Sequence, residues 1–479
     1  MRDLSVAALS APQIALLRHL VAVAGRRELA LVGGAVRDAV ARRRRPVVDL
    51  DVAIGGGALE VGRRLAERAG GAFVPLDPER GAARIVVGER WLDLADFRAP
   101  TLEGDLGARD YTVNALAVPL RELLDRGRAA IVDPTGGVRD LAARRLRPPH
   151  PRVLADDPLR ALRGVRLERT LGLRLTPGAV RAIRAVAPAL AGVSAERVRD
   201  ELVALLAGDD AAGALRRLDA LGLLRVVLPE VEPMRRTTQP APHRFSVLEH
   251  SLRAVAGADR VVARPTAFPG FDEAITRHVA ESLGGGITRR EVLKLAALLH
   301  DVSKPETRQR ISGRIRFFEH DVRGAARAHA IGERLRLPPR ATAVLERLVR
   351  HHLRPMHLAN AGVITPRARY RFYRDLGSDT QDLVMLALVD AAAVRGDSPV
   401  TLWPRARLLR DLLAGWPAQQ SVVTAPPLLR GEDVMRRFDL GPGPEIGRLL
   451  RRAREAQDLG LVATPEEALA FLDSSPNGP

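Results

Sequence analysis

The stretch Leu31 to Ile54, LVGGAVRDAVARRRRPVVDLDVAI, constrains the fold more than any other part of the chain. Two aliphatic residues lead into Gly33-Gly34, a helical segment follows with Arg37 and Asp38, and the stretch ends in a strand, VVDLDVAI. Side chains alternate on a strand, so Asp49 and Asp51 share one face, while Val48, Leu50, Val52 and Ile54 face a core. The Cα atoms of two such residues lie roughly 6–7 Å apart. Carboxylates at that spacing reach one Mg²⁺, or one ion each, in a hard-oxygen site that also takes substrate phosphates. Gly-Gly ahead of a helix lets the backbone approach a ligand closely, and the helix start offers N–H groups to a phosphate. A lone Gly-Gly is usually a turn, and a lone Asp-x-Asp is usually a solvated face. Together, with Arg42 to Arg45 between them, they point to a phosphate cradle beside a metal site.

Helices and strands alternate through the next hundred residues. The run IVVGERWLDLADFR reads as a hairpin turning at Gly88-Glu89-Arg90, with Asp93 on its second strand. Asp93 reads equally well as a third ligand or as a solvated strand position. Farther on, Arg109 and Asp110 lie in TLEGDLGARDYTVNALAV. In LADDPLRALRGVRLERTLGL, Asp157, Arg160, Arg163 and Arg166 recur three apart, which predicts one helical face. A salt-bridged solvated helix is the plainer reading of that row.

The formal net charge is +18, carried almost wholly by arginine; the lysines are Lys294 and Lys304. A surface this basic favours a polyanionic partner. Aromatic residues make up 3 % of the chain, so stacking platforms for single-stranded bases are scarce, and a folded RNA docked by its backbone suits it better. With no cysteine, disulfides and thiolate metal sites are excluded. No signal peptide and no apolar run of membrane-spanning length is present, which predicts a soluble, cytoplasmic protein without a membrane partner. Nothing in the sequence specifies the oligomeric state.

GGAVRD followed by DLD resembles the signature of the class II nucleotidyltransferases, the bacterial tRNA CCA-adding enzymes and poly(A) polymerases. The resemblance implies that Gly33 and Gly34, helped by Arg37, hold a triphosphate and that Asp49 and Asp51 are catalytic and hold Mg²⁺. ARDYTVNALA resembles the family's second motif, with Ala108 where a second arginine is usual. There Arg109 would bind the triphosphate and Asp110 orient the ribose or metal. DDPLR resembles the motif in which Asp157 and Arg160 contact the Watson–Crick edge of the incoming base, with Asp156 replacing a glutamate and Arg163 and Arg166 extending the nucleotide-binding face. IVDPTGGVRDL matches a third, structural element.

A second constellation lies C-terminal: His250 in FSVLEHSL, His300-Asp301 ending VLKLAALLHD, His320 after IRFFEH, His351-His352, and Asp390 in LALVDAAA. A single such histidine is usually structural; together they resemble an HD domain, a helical metal-dependent phosphohydrolase. By resemblance His250, His300, Asp301 and Asp390 would ligate one metal, and His320 and His352 would offer a second site. Imidazole with carboxylate suits Mn²⁺, Ni²⁺ or Co²⁺.

The expected fold is therefore α+β: a polymerase-beta-like palm at 1–148, a helical neck and body at 149–235 binding base and RNA, an all-α HD domain at 236–400 and a helical tail at 401–479. The expected activity is addition of CCA to a tRNA 3′ end from CTP and ATP, with poly(A) polymerase or partial CC- or A-addition as the runners-up. The alternative from another class is an HD phosphohydrolase with an N-terminal nucleotide- or RNA-binding module.

Overall fold

The computed structural model describes residues 3–41, 50–263 and 267–474. It divides into two compact units, Met1–Leu202 with Arg217–Val227, and Val203–Arg216 with Leu228–Pro479.

The first unit is built on six strands: β1 (Leu29–Val32), β2 (Leu50–Ile54), β3 (Ala72–Asp77), β4 (Ala82–Val87), β5 (Arg90–Asp96) and β6 (Ala117–Pro119), in the spatial order β3-β4-β5-β2-β1-β6. The sheet is mixed. β2 runs antiparallel to β1, with Val32 opposite Asp51, and parallel to β5, with Asp51 beside Asp93. Alternation along β2 decides what each face does. Leu50, Val52 and Ile54 enter the main core with Leu31, Leu92 and Leu94, under helices α1 (Ala11–Val23) and, farther along the chain, Ala58–Ala69. Ala53 and Val32, on the opposite face, join a smaller cluster with Leu102 and Leu106. Asp51 therefore projects from the thinly covered face. Helix α2 (Gly34–Val40) starts at Gly33, whose φ of 71° and ψ of −133° are readily adopted only by glycine. Helix α3 (Leu102–Gly107) and, beyond the sheet, helix α4 (Arg160–Leu171) complete the frame of the site.

The second unit is almost wholly helical. Helix α5 (Val247–Ala263) packs on α6 (Arg289–Leu299) and on α9 (Thr380–Arg395), while α7 (His320–Arg334) packs on α8 (Pro339–His351). Helix α6 is buried along nearly its whole length, and its buried charged side chains meet specific partners. Arg289 donates to Glu281, Asp379 and Asp382 at 2.6–2.7 Å. Lys294 donates to the carbonyls of Leu206 and Gly208 and pairs with Asp259. A short hairpin, β7 (Arg308–Ile311) and β8 (Arg314–Phe317), leads into α7. At the C-terminal end, helices Gly431–Phe438, Pro444–Asp458 and Pro465–Ser474 enclose their own apolar cluster around Val434, Leu449 and Leu472. The α+β expectation holds: a mixed sheet at the N-terminal side, helices beyond. No helix of the described residues is long and apolar enough to cross a membrane.

Candidate active site and metal centre

In the first unit Gly33, Asp51 and Arg109 converge. A side-chain Cβ at Gly33 would lie 3.0 Å from Asp51 Oδ2 and 3.8 Å from Arg109 Nη1. The absent side chain leaves a backbone cradle between a carboxylate and a guanidinium, the arrangement a metal-bound phosphate needs. Asp49 lies outside the described residues. Asp93 does sit next to Asp51, but Arg84 grips it with two hydrogen bonds of 2.7 and 2.8 Å and stacks on Trp91. The third-ligand alternative for Asp93 thus competes with an ion pair already made.

Arg109 is aimed by a residue the sequence reading missed. Asp105, one turn earlier in α3, takes two hydrogen bonds from its guanidinium and two from Arg98, through the amide and the guanidinium, and is itself almost fully buried. The i,i+4 spacing of Asp105 and Arg109 was legible. A second polar chain runs from α2 to α4. Arg37 pairs with Asp38 and donates to Asn114 Oδ1 at 2.7 Å, Asn114 donates to Asp110, and Arg163 pairs with Asp110 at 2.8 Å. Asn114 lies in a short turn, Thr112–Asn114. Burial pushes the Asp110 carboxyl up, but Arg163, Asn114 and the Tyr111 amide outweigh it and hold it below the usual carboxylate range. A cavity of about 420 Å³ shares Arg37 and Asp38 with this network, but not Gly33, Asp51 or Arg109.

The expected single face for Asp157, Arg160, Arg163 and Arg166 is corrected. Asp157 is extended (φ −147°, ψ 94°), between a short helix ending at Asp156 and α4, which begins at Arg160. Pro158 explains the break, since a residue before proline is driven out of the α region. Arg197 reaches Asp157 at 2.7 Å, whereas Arg160 Nε stands 3.9 Å from it. Arg160 Nη1 donates to the carbonyls of Ala108 and Val153. Arg166 is bidentate with Glu201. The row is neither free nor simply solvated; each guanidinium has a built partner. Tyr111 donates to the Arg160 carbonyl at 2.9 Å, and a Cβ at Gly164 would lie 2.0 Å from its Oη, so only glycine admits the ring there.

The second unit gathers all six candidate metal ligands, divided differently from expectation. His250, His300 and Asp390 form one group, and Asp301, His320 and His352 another; within each, the ligand atoms lie within 4.8 Å of one another. Asp301 belongs between the groups: its Oδ2 is 3.2 Å from His300 Nε2, and its Oδ1 is 3.4 and 3.7 Å from the Nε2 atoms of His320 and His352. Both carboxylate oxygens are used because α6 ends at the His-Asp pair and places Asp301 between α5 and α9 on one side and α7 and α8 on the other.

These residues fit metal ions by their own chemistry. The Nδ1 atoms of His300, His320 and His352 lie 3.0, 2.6 and 2.7 Å from the carbonyls of Ala297, Phe317 and Val349, acceptors that favour a proton on Nδ1 and turn Nε2 into the cluster. The Nε2 atoms of His320 and His352 are buried without a hydrogen-bond partner, a costly state that a metal relieves. The charge balance agrees. Burial opposes a proton on His300, yet Asp301 and Asp390 override it and raise the pKa to about 10, while burial and the neighbouring His300 push His352 down to about 4. Two carboxylates here call for positive charge. Lys304, at 2.7 Å from Asp301, supplies part of it.

Comparison with known proteins places these geometries. The chain matches the models of the poly A polymerase head domain over residues 29–102, the probable RNA and SrmB-binding site of polymerase A over 172–235, and the HD domain over 247–391. It is 39 % identical to an A-adding tRNA nucleotidyltransferase of Deinococcus radiodurans, covering 92 % of this chain and 94 % of that protein. It is 37 % identical to a CC-adding tRNA nucleotidyltransferase of Thermus thermophilus, covering 92 % of each. A CCA-adding enzyme structure in its apo form I matches with a TM-score of 0.62 at 19 % identity, over 100 % of this chain and 99 % of that one. A head fold, an RNA-binding segment and an HD domain in this order, with relatives this similar over nearly their whole length, make the chain a member of the tRNA nucleotidyltransferase family.

Proposed function

We propose that the first unit completes the CCA end of tRNA, transferring nucleotides from CTP and ATP to the RNA 3′-hydroxyl with release of pyrophosphate. The convergence of Gly33, Asp51 and Arg109 carries this reading. Asp51, with Asp49 beside it in sequence, would hold Mg²⁺. When bound, that ion lowers the pKa of the attacking hydroxyl and offsets charge on the phosphates. Arg109, held by Asp105, presents a guanidinium fork to the triphosphate, and Gly33 and Gly34 give its oxygens close backbone approach. Asp110, Asn114 and Arg37 tie this cradle to α4. Asp157 offers an acceptor, and Arg160 a donor, to the base. Solved CCA-adding enzymes of similar fold carry ATP, CTP or tRNA, which supports the same substrates here.

Partial addition is the second reading, favoured by the names of the two relatives, one A-adding and one CC-adding. The HD centre adds a hydrolytic activity: His250, His300 and Asp390, with Asp301, His320 and His352, would hold Mn²⁺, Ni²⁺ or Co²⁺. Ions of this kind activate water for attack on a phosphoester.

The test is product sizing on labelled tRNA lacking CCA and on tRNA lacking only the terminal A, with each NTP alone and with CTP and ATP together. Three nucleotides added to the first substrate give full CCA synthesis; two on the first, or one on the second with none on the first, give partial addition; a lengthening ladder with ATP gives poly(A) synthesis. No transfer, with phosphoester hydrolysis present, returns the chain to the HD-hydrolase reading.

A further inference from the structure

The hairpin β7–β8 meets the metal-ligand cluster at its root, where the Phe317 carbonyl faces His320 Nδ1 and the Phe317 ring faces Lys304, and the rest of it is largely exposed. Its strands pair Arg308 with Phe317, Gln309 with Arg316, Arg310 with Ile315 and Ile311 with Arg314. The turn is Ser312-Gly313, both at positive φ (49° and 76°), as a two-residue hairpin requires. Between Thr307 and Glu319 the sequence RQRISGRIRFF carries four arginines and no acid. All four are exposed, and arginines lie on both faces of the ribbon.

Among the described residues, many arginines elsewhere pair with carboxylates, as Arg84 does with Asp93, Arg166 with Glu201 and Arg217 with Glu168. Here, among the described residues, Arg308, Arg310, Arg314 and Arg316 have no ion-pair partner; Arg310 donates only to the Gly313 carbonyl. The flanking acids are engaged by other arginines, Glu306 by Arg327 at 2.6 Å and Glu319 by Arg323 at 3.9 Å. Three large apolar side chains also lie exposed at this place: Ile311, Phe318 and Val322 at 45, 58 and 39 %. A ribbon with uncompensated guanidinium groups and an exposed aromatic ring is shaped for a polyanion that also offers flat apolar faces.

We propose that β7–β8 is an RNA contact of the second unit, with its arginines on the phosphate backbone and Phe318 against an unstacked base. Arginines two apart on one strand stand roughly 6–7 Å apart, a repeat that suits successive phosphates of one chain. The ribbon is rooted in the metal centre at both ends. Lys304, which bonds Asp301, opens the turn that enters β7, and the Phe317 carbonyl at the end of β8 accepts from His320 Nδ1. RNA held on the ribbon therefore lies beside the metal ligands. The inference does not require nucleotide addition, because its readout is binding.

The test compares the full chain with a variant carrying R308Q, R310Q, R314Q and R316Q, and with F318A. Anisotropy of fluorescein-labelled tRNA is followed from 50 to 300 mM KCl, and photo-crosslinked peptides are mapped. Each phosphate that is no longer neutralised lowers the slope of log affinity against log salt by about 0.7–0.9. The quadruple variant should therefore drop by about three units of slope or slightly more, and at least tenfold in affinity near 150 mM salt. F318A should keep the slope and lose the crosslink at the hairpin. Circular dichroism and thermal unfolding matching wild type exclude misfolding; should the quadruple variant unfold, the two pairs R308Q/R310Q and R314Q/R316Q replace it. Unchanged slope and affinity with no crosslink between 308 and 318 overturns the proposal. So does equal competition by polyglutamate at matched charge, which would mark the ribbon as a site for an acidic protein segment.

Discussion

The two sites solve the problem of charge in opposite ways. In the first unit the carboxylates of the candidate site are matched to guanidinium groups: Asp93 to Arg84, Asp105 to Arg98 and Arg109, Asp110 to Arg163, and Asp157 to Arg197. In the HD centre Asp301 and Asp390 face imidazoles and a single lysine, and the buried Nε2 atoms of His320 and His352 have no hydrogen-bond partner. A site whose highly charged substrate comes and goes keeps its own polar groups positioned between turnovers. A site built around resident ions relies on them for charge balance, because its protein groups alone leave buried carboxylates and nitrogen lone pairs uncompensated. The first site should therefore respond to mutation mainly in kinetics, the second mainly in metal content and stability.

The sharpest way to break this comparison is Asp51→Ala. Transfer should fall by ~10³-fold or more, because several kcal/mol of metal-held charge stabilisation are lost, while the unfolding profile stays near wild type. A large stability loss with modest kinetic change, in a single-turnover assay alongside calorimetry, would show that the site is a structural network like the other.

At the HD centre the expected order is reversed. Chelation should remove transition metal and lower the unfolding midpoint of the wild type, since metal bound at 100 times its Kd contributes about 2.7 kcal/mol. His300→Ala and Asp301→Ala should purify with less than about a tenth of the wild-type metal and lose phosphoester hydrolysis. Metal analysis showing none in the wild type, with added Mn²⁺, Ni²⁺ and Co²⁺ eliciting neither stabilisation nor hydrolysis, would reduce the imidazole cluster to packing.

Asp105 tests whether the arginine matching in the first unit positions groups. Asp105→Asn keeps the volume but frees the Arg109 fork. KM for NTP should rise by about tenfold to thirtyfold with a smaller change in kcat, consistent with loss of one charge-assisted bidentate pair. Equal falls in kcat and kcat/KM would instead place the effect in the transition state. Asp157→Ala should act on selection, relaxing the preference among CTP, ATP, UTP and GTP by about tenfold, the scale of one unpaired base-edge hydrogen bond. Unchanged discrimination would leave Asp157 as no more than a partner of Arg197.

The ease with which each feature could be read follows from the range of the physics involved. The alternation that puts Asp51 opposite Leu50 and Val52 is a property of one strand, and the structure shows it. The break at Asp157 was equally local, written in Pro158, but the three-residue spacing of the arginines masked it. The division of the HD ligands was not legible, because it depends on which oxygen of Asp301 faces which helix. That is decided by packing among α5, α6, α7, α8 and α9, far apart in sequence. Gly164 gave no signal: its role exists only because Tyr111, from another element, ends against it.

That last contact supplies the finest test. Tyr111→Phe removes one hydrogen bond to the Arg160 carbonyl and should cost about 1 kcal/mol. Gly164→Ala introduces a methyl 2.0 Å from Tyr111 Oη and 2.7 Å from its Cζ, an overpacking that costs about 1–3 kcal/mol. The two changes touch the same atom, so they should not add. With Oη gone the alanine still meets Cζ, but the tightest overlap has disappeared. Gly164→Ala should therefore cost less in the Tyr111→Phe background than in wild type, with a coupling of about 0.5 kcal/mol or more. Denaturant unfolding of the four proteins measures it. The same ring leans on the segment that presents Arg160, so base selection should shift with the single Gly164→Ala change and recover in part in the double variant. Simple additivity in stability, with selection unmoved in all four proteins, would mean that the Tyr111–Gly164 contact packs the neck without setting the position of Arg160.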